Sequence, residues 1–393
     1  MVNVARHVAE LPKSGIRKFF DIVADMKDVV SLGIGEPDFD TPWHISEAAV
    51  KSLGHGGTHY TSNLGTPALR QSIARYLKRR FGAEFDWTRE ILATVGVSEG
   101  IDLAIRALIA PGDEVIYQDP GYVSYAATIQ LAHGVPVRAE TRFEDGFRLT
   151  VAELERQVTP KTKALLLNFP CNPTGTMLTG DDMLAILEFA RRHDLIVISD
   201  EVYTELSYFD PMPPTLASFA SFPEYRDRVV LLNGFSKAWA MTGYRLGYAC
   251  GPHDLIDAMM KIHQYGIMSA PTLAQVAGVE ALEHGDRDVE TMRREYRRRR
   301  DYLVPRLNDM GLKVHCPQGA FYLFPDISST GRNGEEFAME LLEGHKVACV
   351  PGVAFGASGG NFVRISYATA MDKLEVAVER IGRYCKECSL PQS

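Results

Sequence analysis

Six cysteines in 393 residues are too few and too scattered to staple a fold, and Cys171, Cys250, Cys316, Cys349, Cys385 and Cys388 form no framework. That usage argues against a disulfide scaffold and suits reduced thiols. Cys385 and Cys388 make one CxxC, but a zinc or redox site needs a second pair or a βαβ context that is missing. Positive charge is also short: 42 lysines and arginines face 50 aspartates and glutamates, a formal net charge of −8. With no basic stripe among the aromatics, nucleic acid is disfavoured as a partner. No apolar run approaches the roughly 18 to 20 residues that cross a bilayer, and no charged-then-apolar leader opens the chain. A cytoplasmic protein without a membrane partner is expected. His55 and His59 have the spacing of a helical metal pair, yet Gly56 and Gly57 between them oppose a helix and no third ligand follows, so no metal is expected.

What is present describes an ordinary globular chain, 46% apolar and 23% charged, too long for one hydrophobic core and therefore expected to form two domains. Residues 228–232 read as a buried strand that ends at small residues and delivers Lys237 into a turn ahead of a second strand at 246–250. An isolated Ser-Lys pair would suggest a surface lysine. A lysine in this position is instead partly desolvated, which lowers its pKa and frees a nucleophilic amine. Arg245, beyond Gly243, offers a guanidinium suited to a phosphate.

Upstream, Ile16, Phe19, Phe20 and Ile22 pattern one face of a short helix, and residues 29–42 read as a short strand running into a turn-rich loop. Gly33 and Gly35 in that loop lack the following helix and third glycine of a dinucleotide fingerprint; they let backbone approach a ligand. Helical periodicity covers 43–55 and 66–81, with Tyr60 between them, for which core packing is the plain reading. A strand at 91–95, a turn at 96–100 and a helix at 101–108 admit two chemistries. Ser98 fits the GxSxG elbow of a serine hydrolase, or the N–H of Val97 and the Ser98 hydroxyl sit at a helix N-terminus suited to phosphate. The hydrolase reading finds no Asp and His in recognisable context and leaves Lys237 and Arg245 idle. Tyr122 ends a turn–strand–loop unit at 111–122, where its ring either stacks on a planar heterocycle or packs within the loop.

Two strongly apolar segments, 164–169 and 195–199, flank a helix at 181–193; 135–163 is weaker in pattern. Apolar strands alternating with helices predict a parallel sheet buried on both faces, with ligands at the strands' carboxyl ends. Asn172, Asp200 and Tyr203 fall there. A carboxylate at Asp200 would keep a pyridine nitrogen protonated, and Asn172 and Tyr203 could donate to a phenolate oxygen of the same ring. Helices follow at 253–263 and 272–308, interrupted around 266–271. The arginines at 293, 294 and 297–300, mixed with Glu290 and Glu295, mark a solvated or interdomain face. An α+β segment closes the chain, with strands at 313–315, 319–325, 347–350 and 362–367 and a helix at 334–344. Arg364 lies in the last strand and needs a partner, either an internal carboxylate or that of a substrate held bidentate.

The pattern Gly-Phe-Ser-Lys at 234–237, followed by Ala240, Met241, Gly243, Arg245, Leu246 and Gly247, resembles the lysine-attachment signature of class I/II pyridoxal-phosphate aminotransferases. Leu-Gly-Ile-Gly-Glu-Pro-Asp-Phe at 32–39, Asn-Pro-Thr-Gly at 172–175, Ser-Asp-Glu-Val-Tyr at 199–203 and Val-Arg-Ile-Ser-Tyr-Ala at 363–368 resemble the same family in order, from about Ser31 to Thr369. The resemblance is to the subgroup holding bacterial and archaeal aspartate and aromatic transaminases.

It implies an α/β fold type I transferase: a large domain over 43–283 with a mostly parallel sheet between helices, and a small α+β domain from 1–42 and 284–393. It further implies pyridoxal 5'-phosphate as cofactor and a homodimer with shared active sites, moving an amino group between an L-amino acid, aspartate or aromatic, and a 2-oxo acid such as 2-oxoglutarate. Lys237 becomes the catalytic residue and cofactor anchor. Val97, Ser98, Tyr122, Asn172, Asp200, Tyr203, Ser236 and Arg245 hold the cofactor, with Tyr60 reaching in from the neighbouring subunit; Gly35, Asn172 and Arg364 hold the substrate. The chain departs from some relatives at Gly234, where they carry a phosphate-binding serine. A lyase of the same fold, a C–S β-lyase or an aminocyclopropane-forming enzyme, would share every cofactor residue. A regulator with an aminotransferase-like module would need a DNA-binding domain ahead of the first motif, where about thirty residues are too few. Arg17 and Arg106 are the candidates for reading the substrate side chain.

Overall fold

The computed structural model describes residues 2–11 and 26–388; the expected helix over 16–22 and Arg17 lie outside them. Twelve strands are described: β1 (Val30–Ser31), β2 (Ile91–Thr94), β3 (Glu114–Asp119), β4 (Val135–Glu140), β5 (Thr162–Asn168), β6 (Ile196–Asp200), β7 (Val229–Gly234), β8 (Gly247–Cys250), β9 (Tyr322–Leu323), β10 (Val347–Ala348), β11 (Val350–Pro351) and β12 (Val363–Ser366). Seven of them form one sheet in the order β2-β8-β7-β6-β5-β3-β4. The pairs from β4 through β7 are parallel, and β8 runs antiparallel to both β7 and β2. Every residue of β7 and nearly all of β5 and β6 are buried, because helices cover both faces.

Register determines what this sheet presents. Asn168 pairs with Asp200 across β5 and β6, and Asp200 with Leu232 across β6 and β7, so β5 and β6 end level and β7 runs two residues further, to Gly234. Parallel strands put all their carboxyl ends on one edge. The loops leaving that edge carry Tyr122 after β3, Asn172 after β5, Tyr203 after β6 and Lys237 after β7.

A second group of elements packs around a core that includes Leu32, Phe321, Leu341, Val363 and Ile381. It contains the antiparallel sheet β11-β12-β9, the helices Gly334–His345 and Met371–Cys388, and the parallel pair β1-β10, through which an early segment joins the C-terminal part of the chain. The 24-residue helix Asp286–Asp309 leads from the large sheet into this group. Its Arg293, Arg299 and Arg300 are buried rather than solvated; Arg299 bridges Asp38 at 2.8 Å and Glu295 at 2.9 Å.

Several elements differ from the sequence reading. The helix expected from 101 begins at Gly96, since the Glu99 carboxylate turns back to accept the Val95 N–H and closes the turn into the first helical turn. The helix expected over 272–308 is two, Thr272–His284 and Asp286–Asp309, divided at Gly285, where a Cβ would stand 2.6 Å from the Trp239 indole nitrogen. The helix expected over 253–263 runs on to Gly266, and the weakly patterned 135–163 supplies edge strand β4 and the helix Val151–Gln157. The strand expected at 313–315 is a single bridge from Lys313 to Asp326, and 319–325 is reduced to an isolated bridge from Gly319 to Ser207 and the strand Tyr322–Leu323, parted at Ala320, which takes a left-handed φ of 59°. Residues 347–350 split between β10 and β11, which belong to different sheets.

Candidate active site

Along the edge where β3, β5, β6 and β7 end lies a cavity of about 950 Å³. Gly35, Val97, Ser98, Tyr122, Asn172, Asp200, Tyr203, Ser236, Lys237, Arg245 and Arg364 all line it. Of the residues singled out from the sequence, Tyr60 does not; it is 84% exposed, on the loop between the helices Trp43–Gly54 and Pro67–Phe81. Arg106 is turned away as well, its guanidinium held by Asp102 at 2.8 Å on its own helix.

Lys237 donates from Nζ to the Gly35 carbonyl oxygen at 2.7 Å, and the ammonium lies 5.9 Å from the ring centroids of Tyr203 and Phe321. Burial pushes its pKa down to about 8, with Arg364 and Arg245 adding to the fall while Glu36 and Asp200 oppose it. The amine therefore loses its proton within easy reach of neutrality. Asp200, at the end of β6, is buried; burial pushes its carboxyl up to about 6 despite the Tyr125 hydroxyl donating to Oδ2 at 2.8 Å and the Val202 N–H donating to Oδ1 at 3.3 Å. A cationic group beside Asp200 would relieve that cost of burial.

Asn168, last in β5, orders the neighbouring loop. Its Nδ2 donates to the Asp200 carbonyl at 2.8 Å and its Oδ1 accepts the Asn172 N–H at 2.9 Å. The Asn172 Oδ1 then accepts from Arg364 Nη1 at 3.0 Å, which leaves Nδ2 as the remaining side-chain donor. Tyr203 meets Tyr322, hydroxyl to hydroxyl, at 2.8 Å, and burial raises both phenols, so they stay protonated donors at neutral pH.

Arg364 is buried to 3% exposure in β12. No carboxylate partners it among the described residues: Nη1 is on Asn172, Nη2 donates to the Gly33 carbonyl at 2.6 Å, and Nε is buried without a hydrogen-bond partner. Its guanidinium lies 4.5 Å from the Tyr322 ring centroid and 4.7 Å from that of Phe355. A buried cation held by neutral groups is costly, and a ligand carboxylate would offset that cost. Gly35 keeps the approach open, since a Cβ there would sit 2.7 Å from the Tyr322 hydroxyl.

At the other end, Arg245 has a left-handed φ of 51° and donates from Nη1 to the Thr242 carbonyl at 3.0 Å. Its guanidinium faces the first turn of the helix Gly96–Leu108; a Cβ on Gly96, whose φ is +74°, would stand 2.9 Å from Nη2. Free N–H groups of a helix start beside a guanidinium make an anion site. Gly234 lies behind this turn, where a Cβ would meet Val97 Cγ2 at 3.0 Å. Ser98 is exposed in the cavity, and among the described residues no hydrogen bond joins it to a histidine; His263 is engaged with Glu99 at 2.7 Å.

Sequence reasoning passed over Tyr125, Asn168 and Tyr322. A polar residue at the end of an apolar strand was the available signal for Asn168, and a tyrosine within the apolar run at 319–325 for Tyr322; Tyr125 gave none.

The family model "Aminotransferase class I and II" matches residues 27–381. An aspartate aminotransferase of Pyrococcus abyssi is 48% identical over 379 residues, covering 96% of this chain and 97% of that protein. The aromatic-amino-acid aminotransferase 2 of Thermococcus litoralis is 44% identical with the same coverage. Among solved structures, Pyrococcus protein A1 superposes with a TM-score of 0.94 at 47% identity, covering 97% of this chain and 98% of that one.

Proposed function

Because this chain belongs to the class I and II aminotransferases, pyridoxal-phosphate enzymes of fold type I, we propose that it transfers the amino group of aspartate or an aromatic L-amino acid to a 2-oxo acid such as 2-oxoglutarate, using the cavity around Lys237. The observation that carries this reading is the Lys237 amine, poised near neutrality in one cavity with the buried Asp200 carboxylate and the Arg364 guanidinium. The relatives named for aspartate and aromatic substrates support the choice of donor.

The residues present fit the cofactor. Arg245 and the helix start at Val97 and Ser98, with Ser236 beside them, would take its phosphate. Asp200 would face the ring nitrogen and gain a cationic partner there in addition to Lys237. Asn172 and Tyr203 would donate to the phenolate oxygen, and Tyr122 would cover the ring face. Bound there, pyridoxal 5'-phosphate supplies an electrophilic aldehyde and a ring that accepts electrons. Lys237 would anchor it and would carry the proton from the substrate Cα as general base and return it as general acid. Arg364 holds the α-carboxylate bidentate while the backbone at Gly35 closes beside it.

We place the large domain over 43–283 and the small domain over 1–42 and 284–393. The working unit is a cytoplasmic homodimer in which Tyr60 of each subunit completes the neighbour's phosphate site; its exposure to 84% is what that role requires. No helix among the described residues is long and apolar enough to cross a membrane.

The test is the purified protein mixed with pyridoxal 5'-phosphate, followed by visible absorbance, then a panel of amino donors with 2-oxoglutarate. Colour and turnover of aspartate or phenylalanine are expected. A colourless protein would sink the cofactor assignment, turnover of alanine alone would sink the substrate choice, and amino-acid breakdown without an oxo acid would point to the lyase.

A further inference from the structure

Asp119 is the last residue of β3, three positions ahead of Tyr122, and is 2% exposed. Its partners come from far along the chain. The Ser358 hydroxyl donates to Oδ1 at 2.7 Å, and the N–H groups of Ala357 and Ser358 also bond to the carboxylate. Two residues on from Asp119, the Gly121 N–H donates to the Phe355 carbonyl at 2.9 Å. Gly356, at φ +140°, allows this approach: a Cβ there would lie 1.9 Å from Asp119 Oδ1. Arg138 is the cation nearby, but it is largely exposed and 3.6 Å from Oδ2, so its attraction is screened.

The segment so gripped, 352–360, faces the cavity. Val353 and Ala354 line it, as Tyr122 and Val123 do from the β3 side, and Ala354 and Val123 pack in one apolar cluster with Phe355. Phe355 presents its ring 4.7 Å from the Arg364 guanidinium. A chain of contacts therefore runs from the Asp119 carboxylate, through the loop, to the group assigned to the substrate carboxylate.

We propose that Asp119 is a positioning residue: by fastening residues 352–360 to the end of β3, it holds Phe355 against Arg364 and fixes the substrate side of the cavity. The proposal rests on the aminotransferase reading for what is bound. A carboxylate suits the task because three donors converge on it, and bonds to an ionised acceptor are stronger than neutral ones. Lys237, Asp200 and Arg245 lie outside the gripped loop, and Tyr122 follows β3 rather than belonging to that loop, so loosening residues 352–360 acts on substrate rather than on cofactor.

Steady-state kinetics and amide hydrogen exchange of Asp119→Ala, Asp119→Asn, Ser358→Ala and Gly356→Ala test it. Loss of the clasp in Asp119→Ala should raise KM for both amino donor and oxo acid about tenfold, with kcat held within about twofold. Visible absorbance and cofactor affinity should match the wild type, and exchange across 352–360 should quicken. Gly356→Ala should reproduce this pattern, Ser358→Ala a weaker form, and Asp119→Asn, which keeps one acceptor oxygen but not the charge, should recover only part of the loss. Unchanged KM and exchange in the alanine variants would overturn the proposal, as would a fall in cofactor affinity that parallels the KM. If Asp119→Ala does not fold, the Gly356 and Ser358 variants decide. A wild type that neither colours nor turns over would defeat the functional reading, while exchange across 352–360 would still judge the clasp.

Discussion

Arg364 and Asn172 stand 192 positions apart in sequence and 3.0 Å apart in space, guanidinium Nη1 to amide Oδ1. The amide satisfies one arm of the cation without neutralising it, so the charge remains available to a ligand. Asn172→Asp would supply an internal carboxylate at the same place. We expect kcat/KM to fall about a hundredfold for every α-amino acid, since competing with a buried ion pair costs about 3 kcal/mol. Steady-state kinetics over the donor panel check this, and an unaffected variant would remove Arg364 from the carboxylate site.

Lys237 is expected to be the single point of covalent attachment. Borohydride reduction of the coloured protein followed by peptide mapping should find the label on Lys237, and Lys237→Ala should stay unlabelled with its turnover reduced by roughly a thousandfold or more, as for loss of a group acting both as nucleophile and as proton carrier. A label on any other lysine would refute the assignment.

The cofactor-free protein should lose stability as pH rises through neutrality. Glu201, next to Asp200, is buried with Oε1 accepting from Ser199, Ser218 and the Phe219 N–H, while Oε2 has no hydrogen-bond partner among the described residues. Burial pushes its carboxyl up to about 7, and that of Asp200 up to about 6. A folded pKa above the unfolded one means that the native state binds more protons, so this stability is complete below the unfolded values and is lost as pH rises through about 6 and 7. Melting temperatures between about pH 5 and pH 8 should fall with pH, and Glu201→Gln should flatten the decline. An equally steep profile in the variant would clear Glu201 of the effect.

Subunit mixing separates Tyr60 acting in the neighbouring site from Tyr60 acting in its own. Lys237→Ala should be inactive, and Tyr60→Ala should bind cofactor less tightly through its phosphate. In a hybrid dimer of the two, action across the interface leaves one site intact and restores wild-type cofactor affinity there. Action within a chain leaves both sites defective. Titration of mixed dimers with cofactor distinguishes the two outcomes.

The amino-acid sequence alone determined the large sheet and most of the cavity's chemistry. Strands β5, β6 and β7 are runs of apolar residues whose burial on both faces can be read directly; Asp200 ends β6, and Asn172, Tyr203 and Lys237 follow strand ends within a few residues. Local order therefore carried the cavity's lining wherever a polar side chain sits at or just past the end of a parallel strand. Tertiary structure decided what depends on groups distant in the chain: the Tyr125 hydroxyl on Asp200, Tyr322 against Tyr203, and Asp119 under the loop at 352–360. It also decided the short strands β9 to β12, whose two to four residues hold too little pattern to show where pairing stops. Periodicity records which face of an element is buried, whereas a hydrogen bond between residues 75 to 239 positions apart exists only once the chain has closed on itself.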